Sequence, residues 1–302
     1  METTKKYKGV VVPMITPLTK ELKIDVAAVN KIMAVFAENN ISPLLLGTTG
    51  EAASVGQAES MAFVDAAVKA KQNNQVIYAG LSGNNVAGLI ERAKCYAGLG
   101  VDVVVSNLPS YYVLTPSEME KYYTMLADAS PCPVMMYNIK ATTQMSIPPE
   151  TVEKLSKHPN IVGLKDSDRD IQRLESYIHT YKDRPDFSFF CGWAAMGLSS
   201  LRMGADGIVP SSGNVVPEMY RELYNAFLKN DIPAAEHWQR KTDEAAVIYQ
   251  QGKTLGQSLA ALKAMMKIRG LCQHYMMPPL MELSEEETTE ISINYGKYVA
   301  LD

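Results

Sequence analysis

IVGLKD, residues 161–166, is an apolar run that closes on a lysine and an aspartate. Ile161, Val162, Gly163 and Leu164 follow one another without polar alternation, which is how a strand reads when helices cover both of its faces. Seven runs of the same kind lie along the first two-thirds of the chain: GVVVPM (9–14), ISPLLLG (41–47), VIYAGL (76–81), VDVVVSN (101–107), PVMMYN (133–138), FSFFCG (187–192) and GIVPSS (207–212). Between them, stretches such as VAAVNKIMAVFAEN (26–39) and AESMAFVDAAVKAKQ (58–72) space apolar residues three and four apart, the period of an amphipathic helix. Eight strands, each with its helix, predict an α/β fold of the (β/α)8 TIM-barrel kind, for which about 250 residues is usual. An open doubly wound sheet would have fewer strands and a G-x-G-x-x-G turn after the first, which this sequence lacks.

From Pro217 to Asp302 no further strand pattern occurs. PEMYRELYNAFLKN (217–230) and SLAALKAMMKIRGL (258–271) read as helices too apolar for a linker. The expected organisation is a barrel core over 1–216, then the last barrel helix and a C-terminal helical appendage over 217–302, in the same structural unit. SEEETTE (284–290) reads as a Ser-capped helix start whose acidic residues suit the helix dipole.

Composition narrows the class of function. The chain has 302 residues, 47% hydrophobic and 21% charged, with a formal net charge of -4. That is ordinary globular material without the basic footprint of a nucleic-acid or anionic-membrane binder, so a small-molecule substrate fits better. Cys95, Cys132, Cys191 and Cys272 form no C-x-x-C, and His158, His179, His237 and His274 have no metal-ligand spacing, so no metal is expected and a reducing, cytoplasmic setting is. Pro13 and Pro17 interrupt the apolar part of METTKKYKGVVVPMITP, which is not read as a signal peptide, and no run reaches the roughly 18 apolar residues of a membrane span.

In barrels of this kind chemistry gathers at the carboxyl ends of the strands. GTTGE (47–51) follows the second strand and PSYY (109–112) the fourth. Tyr137-Asn138 closes the fifth, Lys165 the sixth and Gly192 the seventh, and the eighth opens into Ser211-Ser212-Gly213-Asn214. Lys165 admits two readings, a solvated strand-end lysine or an amine in a dry pocket. The catalytic rim favours the second, because low dielectric disfavours an ammonium and a neutral amine attacks a ketone to give an electron-withdrawing iminium. Tyr137, on the neighbouring strand, is either its proton shuttle or a lid over the core. Thr48 and Thr49, between Gly47 and Gly50, either hold a carboxylate through hydroxyls and backbone N–H groups or merely close a tight turn. The SSGN segment admits a phosphate cradle, although no glycine-rich turn follows strand seven to complete it.

GTTGE, the PxYY segment, YN and the G-[IL]-K strand end, in this order, resemble the dihydrodipicolinate synthase / N-acetylneuraminate lyase family of class I, Schiff-base aldolases, over essentially the whole chain. The resemblance implies that Lys165 forms an imine with pyruvate or another 2-keto acid and that Tyr137 is the acid/base beside it. No cofactor other than that covalent imine is implied. Thr48 takes the place of a threonine that links the tyrosine to a second one in a proton relay, and Thr49 that of the pyruvate-carboxylate ligand. Tyr112, with Tyr111 as the adjacent alternative, matches the second tyrosine, which family members insert from a neighbouring subunit. A homo-oligomer, usually a tetramer built as a dimer of dimers, follows. Gly192 and Val209 fall where the family lines the keto-acid pocket.

The aldehyde side departs from the pattern. Thr142 stands where synthases that take aspartate semialdehyde have an arginine, and Lys140 offers only a point charge in its place. Sialic acid lyases place a carboxylate just after the strand-seven glycine, where this chain has Trp193-Ala194-Ala195. Ser167 and Ser211 match hydroxyl positions of sugar-acid members, while Trp193 is either an apolar wall for the partner substrate or a packing residue. The expected activity is a pyruvate-dependent lyase that cleaves a 2-keto-3-deoxy acid to pyruvate and an aldehyde, or condenses the two. The alternatives are 4-hydroxy-tetrahydrodipicolinate synthase, a dehydratase on the same imine and, from another class, a non-catalytic keto-acid-binding barrel.

Overall fold

The structure is a computed structural model and describes residues 5–72 and 75–300. The first four and last two residues of the stretches read above lie outside it. All eight apolar runs form strands: β1 (Gly9–Pro13), β2 (Ser42–Leu45), β3 (Tyr78–Leu81), β4 (Val103–Asn107), β5 (Val134–Asn138), β6 (Ile161–Asp166), β7 (Ser188–Cys191) and β8 (Gly207–Ile208). They close in sequence order into one barrel, and β8 pairs back onto β1 in parallel. The helices are α1 (Val26–Glu38), α2 (Gln57–Lys69), α3 (Val86–Leu99), α4 (Pro116–Ala129), α5 (Lys140–Thr143), α6 (Pro149–Leu155), α7 (Ile171–Tyr181), α8 (Gly197–Met203), α9 (Pro217–Leu228), α10 (Ile232–Gln250), α11 (Leu255–Ile268) and α12 (Glu285–Val299). Among the described residues no helix is long and apolar enough to cross a membrane.

Local chemistry sets the helix ends. The Asp25 carboxylate accepts from the Ala28 N–H at the start of α1, and Asn85 caps α3 by accepting from Gly88. Thr115 and Glu118 form a capping box at α4 with Pro116 in its first turn, where a missing N–H costs nothing. Ser284 and Glu287 form another at α12, so the acidic run is the capped helix start that its spacing predicted. The sequence differs from the structure at two places. The segment after β5 breaks into α5 and α6, and β8 is only two residues long. Pro210 has no N–H to give a ladder, so after Val209 donates to Cys191 (2.8 Å) the chain turns into a 3-10 turn over Ser211–Asn214.

The chain packs as two compact units, Met1–Val11 with Val76–Pro210, and Val12–Gln75 with Ser211–Asp302. In the first, Tyr78, Phe189 and Phe190 are fully buried, and two glycines make room for close strands. A Cβ on Gly163 would overlap the Ser188 carbonyl, and one on Gly207 the Gly9 carbonyl and the Phe190 ring. Lys5 threads into this unit and donates to the Tyr181 and Phe187 carbonyls (2.7 and 2.9 Å) and to Asp206 (2.8 Å). In the second, the segment after α11 folds back on that helix, with Met276, Leu280 and Leu283 against Leu259 and Ala260.

Candidate active site

Strand pairing places Tyr137 opposite Lys165 and Asn138 opposite Asp166 at the carboxyl ends of β5 and β6. Side chains alternate along a strand, so the lysine and the tyrosine share one face while Asn138 and Asp166 share the other. On the first face the Lys165 ammonium lies 3.7 Å from the centroid of the Tyr137 ring. Both are buried, Lys165 at 4% exposure and Tyr137 at 6%. Of the two readings open for Lys165, the solvated strand-end lysine is therefore the one that the geometry removes. β7 brings Phe190 opposite the lysine, and so a long flexible amine is held between an aromatic face and an apolar strand.

The other face carries a network that the sequence reading missed. Asp166 accepts from Asn138 Nδ2 (3.1 Å), from the Asp168 N–H (2.8 Å) and from Arg173 Nε (2.6 Å). Arg173 also donates to the Ile147 carbonyl (2.8 Å), and the Ile147 N–H donates to Asn138 Oδ1 (2.9 Å). Burial pushes the Asp166 carboxyl above its ordinary range, with the Arg173 charge and the three donors opposing it. The network ties the two strand ends and the α5–α6 connection into one frame directly behind Tyr137 and Lys165. Its signal was the charge pair Lys165-Asp166 closing an apolar run, since alternation sends the second charge to the opposite face, where it needs a partner.

Around the pair, the Ser167 N–H donates to the Asn138 carbonyl (2.9 Å) and the Gly192 N–H to the Asp166 carbonyl (2.7 Å). A Cβ at Gly192 would overlap the Ser167 hydroxyl and crowd the Asp166 carbonyl. Val209 is buried, and Trp193 is half-buried with its carbonyl facing the Cys191 thiol. Lys140 is exposed, and its N–H is spent on Asp168 (3.2 Å). Tyr112 stands apart from the buried pair. It is 71% exposed, its ring edge-on to Tyr111 at 4.9 Å, in a loop pinned where Asn84 Oδ1 accepts from the Ser110 and Tyr111 N–H groups.

The remaining candidates belong to the second unit. GTTGE is a compact turn in which the Gly50 N–H donates to the Gly47 carbonyl (3.0 Å) and the Glu51 N–H to the Thr48 carbonyl (3.1 Å). Thr49 is buried and Thr48 half-buried. Gly50 has a structural reason of its own: a Cβ would sit 2.9 Å from the Met14 carbonyl, and the Gly50 carbonyl accepts from Thr16 Oγ1 at 2.5 Å. Ser211 shares a hydrogen bond with the Tyr249 hydroxyl and Ser212 with that of Tyr220, both at 2.7 Å. Asn214 donates to the Pro13 carbonyl (2.9 Å) and accepts from the Ile15 N–H (3.1 Å). The Ser211 and Ser212 hydroxyls are thus each paired with a tyrosine, and Asn214 ties the turn to the end of β1 and the segment after it. Among the described residues no group of three or more His, Cys, Asp or Glu could hold a metal ion.

Comparison with known proteins identifies the family. The probable 2-dehydro-3-deoxy-D-pentonate aldolase YjhH of Escherichia coli (strain K12) is 28% identical over 96% of both chains. The 4-hydroxy-tetrahydrodipicolinate synthase of Pseudoalteromonas atlantica is 31% identical over 79% of this chain and 81% of its own. The solved structure of dihydrodipicolinate synthase from Bacteroides thetaiotaomicron superposes with a TM-score of 0.91 at 26% identity, covering 97% of this chain and 99% of the other. YagE of E. coli K12, solved in complex with pyruvate, shares the fold with a TM-score of 0.91 at 24% identity over 97% and 99% of the two chains. The profile of the Dihydrodipicolinate synthetase family matches residues 6–294, and with that match the chain belongs to this family of aldolases and synthases and is a lyase.

Proposed function

We propose that the protein is a class I lyase that holds pyruvate, or another 2-keto acid, as an imine on Lys165, and that its substrate is a 2-keto-3-deoxy acid cleaved to pyruvate and an aldehyde. The observation that carries the reading is the buried Lys165 ammonium 3.7 Å from the Tyr137 ring centroid on adjacent strand ends. The amine, once it has lost its proton, adds to the C2 carbonyl, and loss of water leaves an iminium. Removal of the C4 hydroxyl proton then lets the C3–C4 bond break, with its electron pair drawn into the iminium to give an enamine as the aldehyde departs. Protonation at C3 and addition of water release pyruvate and restore the amine. Tyr137 is the group that moves protons at these steps, with Thr48 relaying them and Thr49 receiving the keto-acid carboxylate. Ser167, Gly192 and Val209 line the acid, and Ser211, Lys140 and Trp193 the aldehyde side. No cofactor besides the imine is required.

The relative named as a probable 2-dehydro-3-deoxy-D-pentonate aldolase, matched along almost the whole of both chains, supports a sugar-acid substrate. Synthase relatives at 31% identity support a second reading, 4-hydroxy-tetrahydrodipicolinate synthase. Thr142 counts against it, since a hydroxyl does not replace a guanidinium fork on a carboxylate. Exposed Tyr112 supports a site completed by a second copy of the chain, hence a homo-oligomer, with a tetramer as the proposed form. Four free thiols support a cytoplasmic setting.

The test is to treat the protein with pyruvate and borohydride and read the mass. A reduced adduct that maps to Lys165 and is lost in Lys165→Ala is expected, and an adduct elsewhere, or none, overturns the reading. Among substrates, release of an aldehyde from 2-keto-3-deoxy sugar acids is expected. Loss of water without an aldehyde would instead identify a dehydratase, and turnover only with pyruvate plus aspartate semialdehyde a synthase.

A further inference from the structure

The last residue of GTTGE has no part in the steps above, yet it is among the most tightly held groups in the second unit. Glu51 adopts a left-handed backbone conformation, φ 58°, unusual for a residue with a side chain. Its carboxylate is buried, with one oxygen 2.5 Å from Lys263 Nζ and the other accepting from the Met277 N–H at 2.7 Å. Lys263, on α11 and 1% exposed, also donates to the Tyr275 carbonyl (2.7 Å). A single pair of charges therefore clamps the turn after β2 to a helix of the C-terminal appendage and to the segment that follows it. A buried ion pair is poor value as a stabiliser, because desolvating both charges offsets most of their attraction, and apolar residues of the same size often do as well. What it does supply is direction. A charge on α11 and an N–H of the following segment hold the two oxygens of Glu51, and Glu51 lies two residues beyond Thr49.

On the reading that Thr48 and Thr49 receive the keto-acid carboxylate, we propose that Glu51 and Lys263 are positioning residues for the reaction. Their ion pair holds the turn in its receiving conformation, so that the C-terminal appendage sets the affinity of the enzyme for its keto acid. Thr16, bonded to the Gly50 carbonyl, braces the same turn from the other side.

The experiment uses the full-length protein, the variants Glu51→Gln and Glu51→Gln/Lys263→Met, and two carbonyl probes. Pyruvate carries the carboxylate and acetone does not, and each is trapped on the enzyme with borohydride. In both variants half-saturating pyruvate should rise by about tenfold or more, the loss of one hydrogen bond to a charged group, while trapping of acetone stays as in the wild type. The double variant leaves no buried charge unpaired and carries the same measurement if Glu51→Gln fails to fold. A lowered Tm with an unchanged preference for pyruvate over acetone would make the pair merely structural and overturn the proposal. Absence of a pyruvate adduct on Lys165 in the wild type would overturn instead the functional reading on which it rests.

Discussion

On the proposed mechanism Lys165 is the nucleophile and Tyr137 the proton carrier, and each can be replaced without emptying the space it fills. Lys165→Arg should fold, because a guanidinium can lie on the same ring face, but should form no pyruvate adduct, since that group stays protonated. Adduct retained at wild-type yield would put the imine on another amine. Tyr137→Phe keeps the ring against the lysine and loses only the hydroxyl, so turnover should fall by roughly a hundred- to ten-thousand-fold while the protein stays folded, as checked by steady-state rates. The adjacency of these two residues was legible because both close apolar runs that form neighbouring strands, β5 and β6. Asp166 was legible only as a charge. That it meets Arg173 and Asn138 depends on how α7 and the α5–α6 connection fold back, which spacing along the chain does not encode. Glu51 and Lys263 are more extreme, since they lie 212 positions apart and neither periodicity nor composition links them.

At the scale of elements, the frame behind the site is a bonded unit and should fail as one. Arg173 is the only cation paired with Asp166 among the described ion pairs, and both side chains are nearly buried. Arg173→Met would keep the aliphatic bulk of the residue and strand the carboxylate, costing about 3–5 kcal/mol by the usual penalty for half of a buried pair. Urea unfolding would measure it, and a change below about 1 kcal/mol would mean that Asn138 and the Asp168 N–H satisfy Asp166 without help. The elements themselves were legible to within a few residues, because continuous apolar runs and helical periods are strong signals. Where the reading overshot, as at β8, an imino acid decided the matter. Val209 still donates across the sheet, but Pro210 cannot, so the run GIVPSS ends as a strand after two residues and bends into the 3-10 turn. GTTGE was legible as a turn but not as a strained one, since nothing in its composition announces the left-handed Glu51 at its end or Leu46 just before it.

For the molecule as a whole, the exposed Tyr111-Tyr112-Val113 loop bears on assembly, and buried phenols and thiols bear on its response to pH. If Tyr112 completes the site of a second copy, Tyr112→Ala should weaken the oligomer seen by sedimentation and lower turnover, while leaving an adduct on Lys165 at high pyruvate; an unchanged oligomer with full turnover would confine Tyr112 to the surface. The pH response follows from burial. Burial pushes the Tyr122 phenol up to about 12, with its bond to Ser106 opposing, the Cys191 thiol to about 11 and the Cys272 thiol to about 12. In the unfolded chain these groups ionise near their ordinary values, about 10 for a phenol and about 8.5 for a thiol. A group whose folded value is raised contributes stability in full below its unfolded value and loses it as pH climbs through the folded one, because the unfolded state gives up the proton first. Each of these groups therefore takes stability away as pH climbs from its unfolded value toward its folded one. The urea midpoint should therefore hold steady to about pH 8 and fall between about pH 9 and pH 12. Tyr122→Phe gives up the bonds to Ser106 and the Asn107 carbonyl at every pH but should flatten the fall above pH 10, and a midpoint that stays level to pH 11 in the wild type would mean that these groups are hydrated in the folded protein after all.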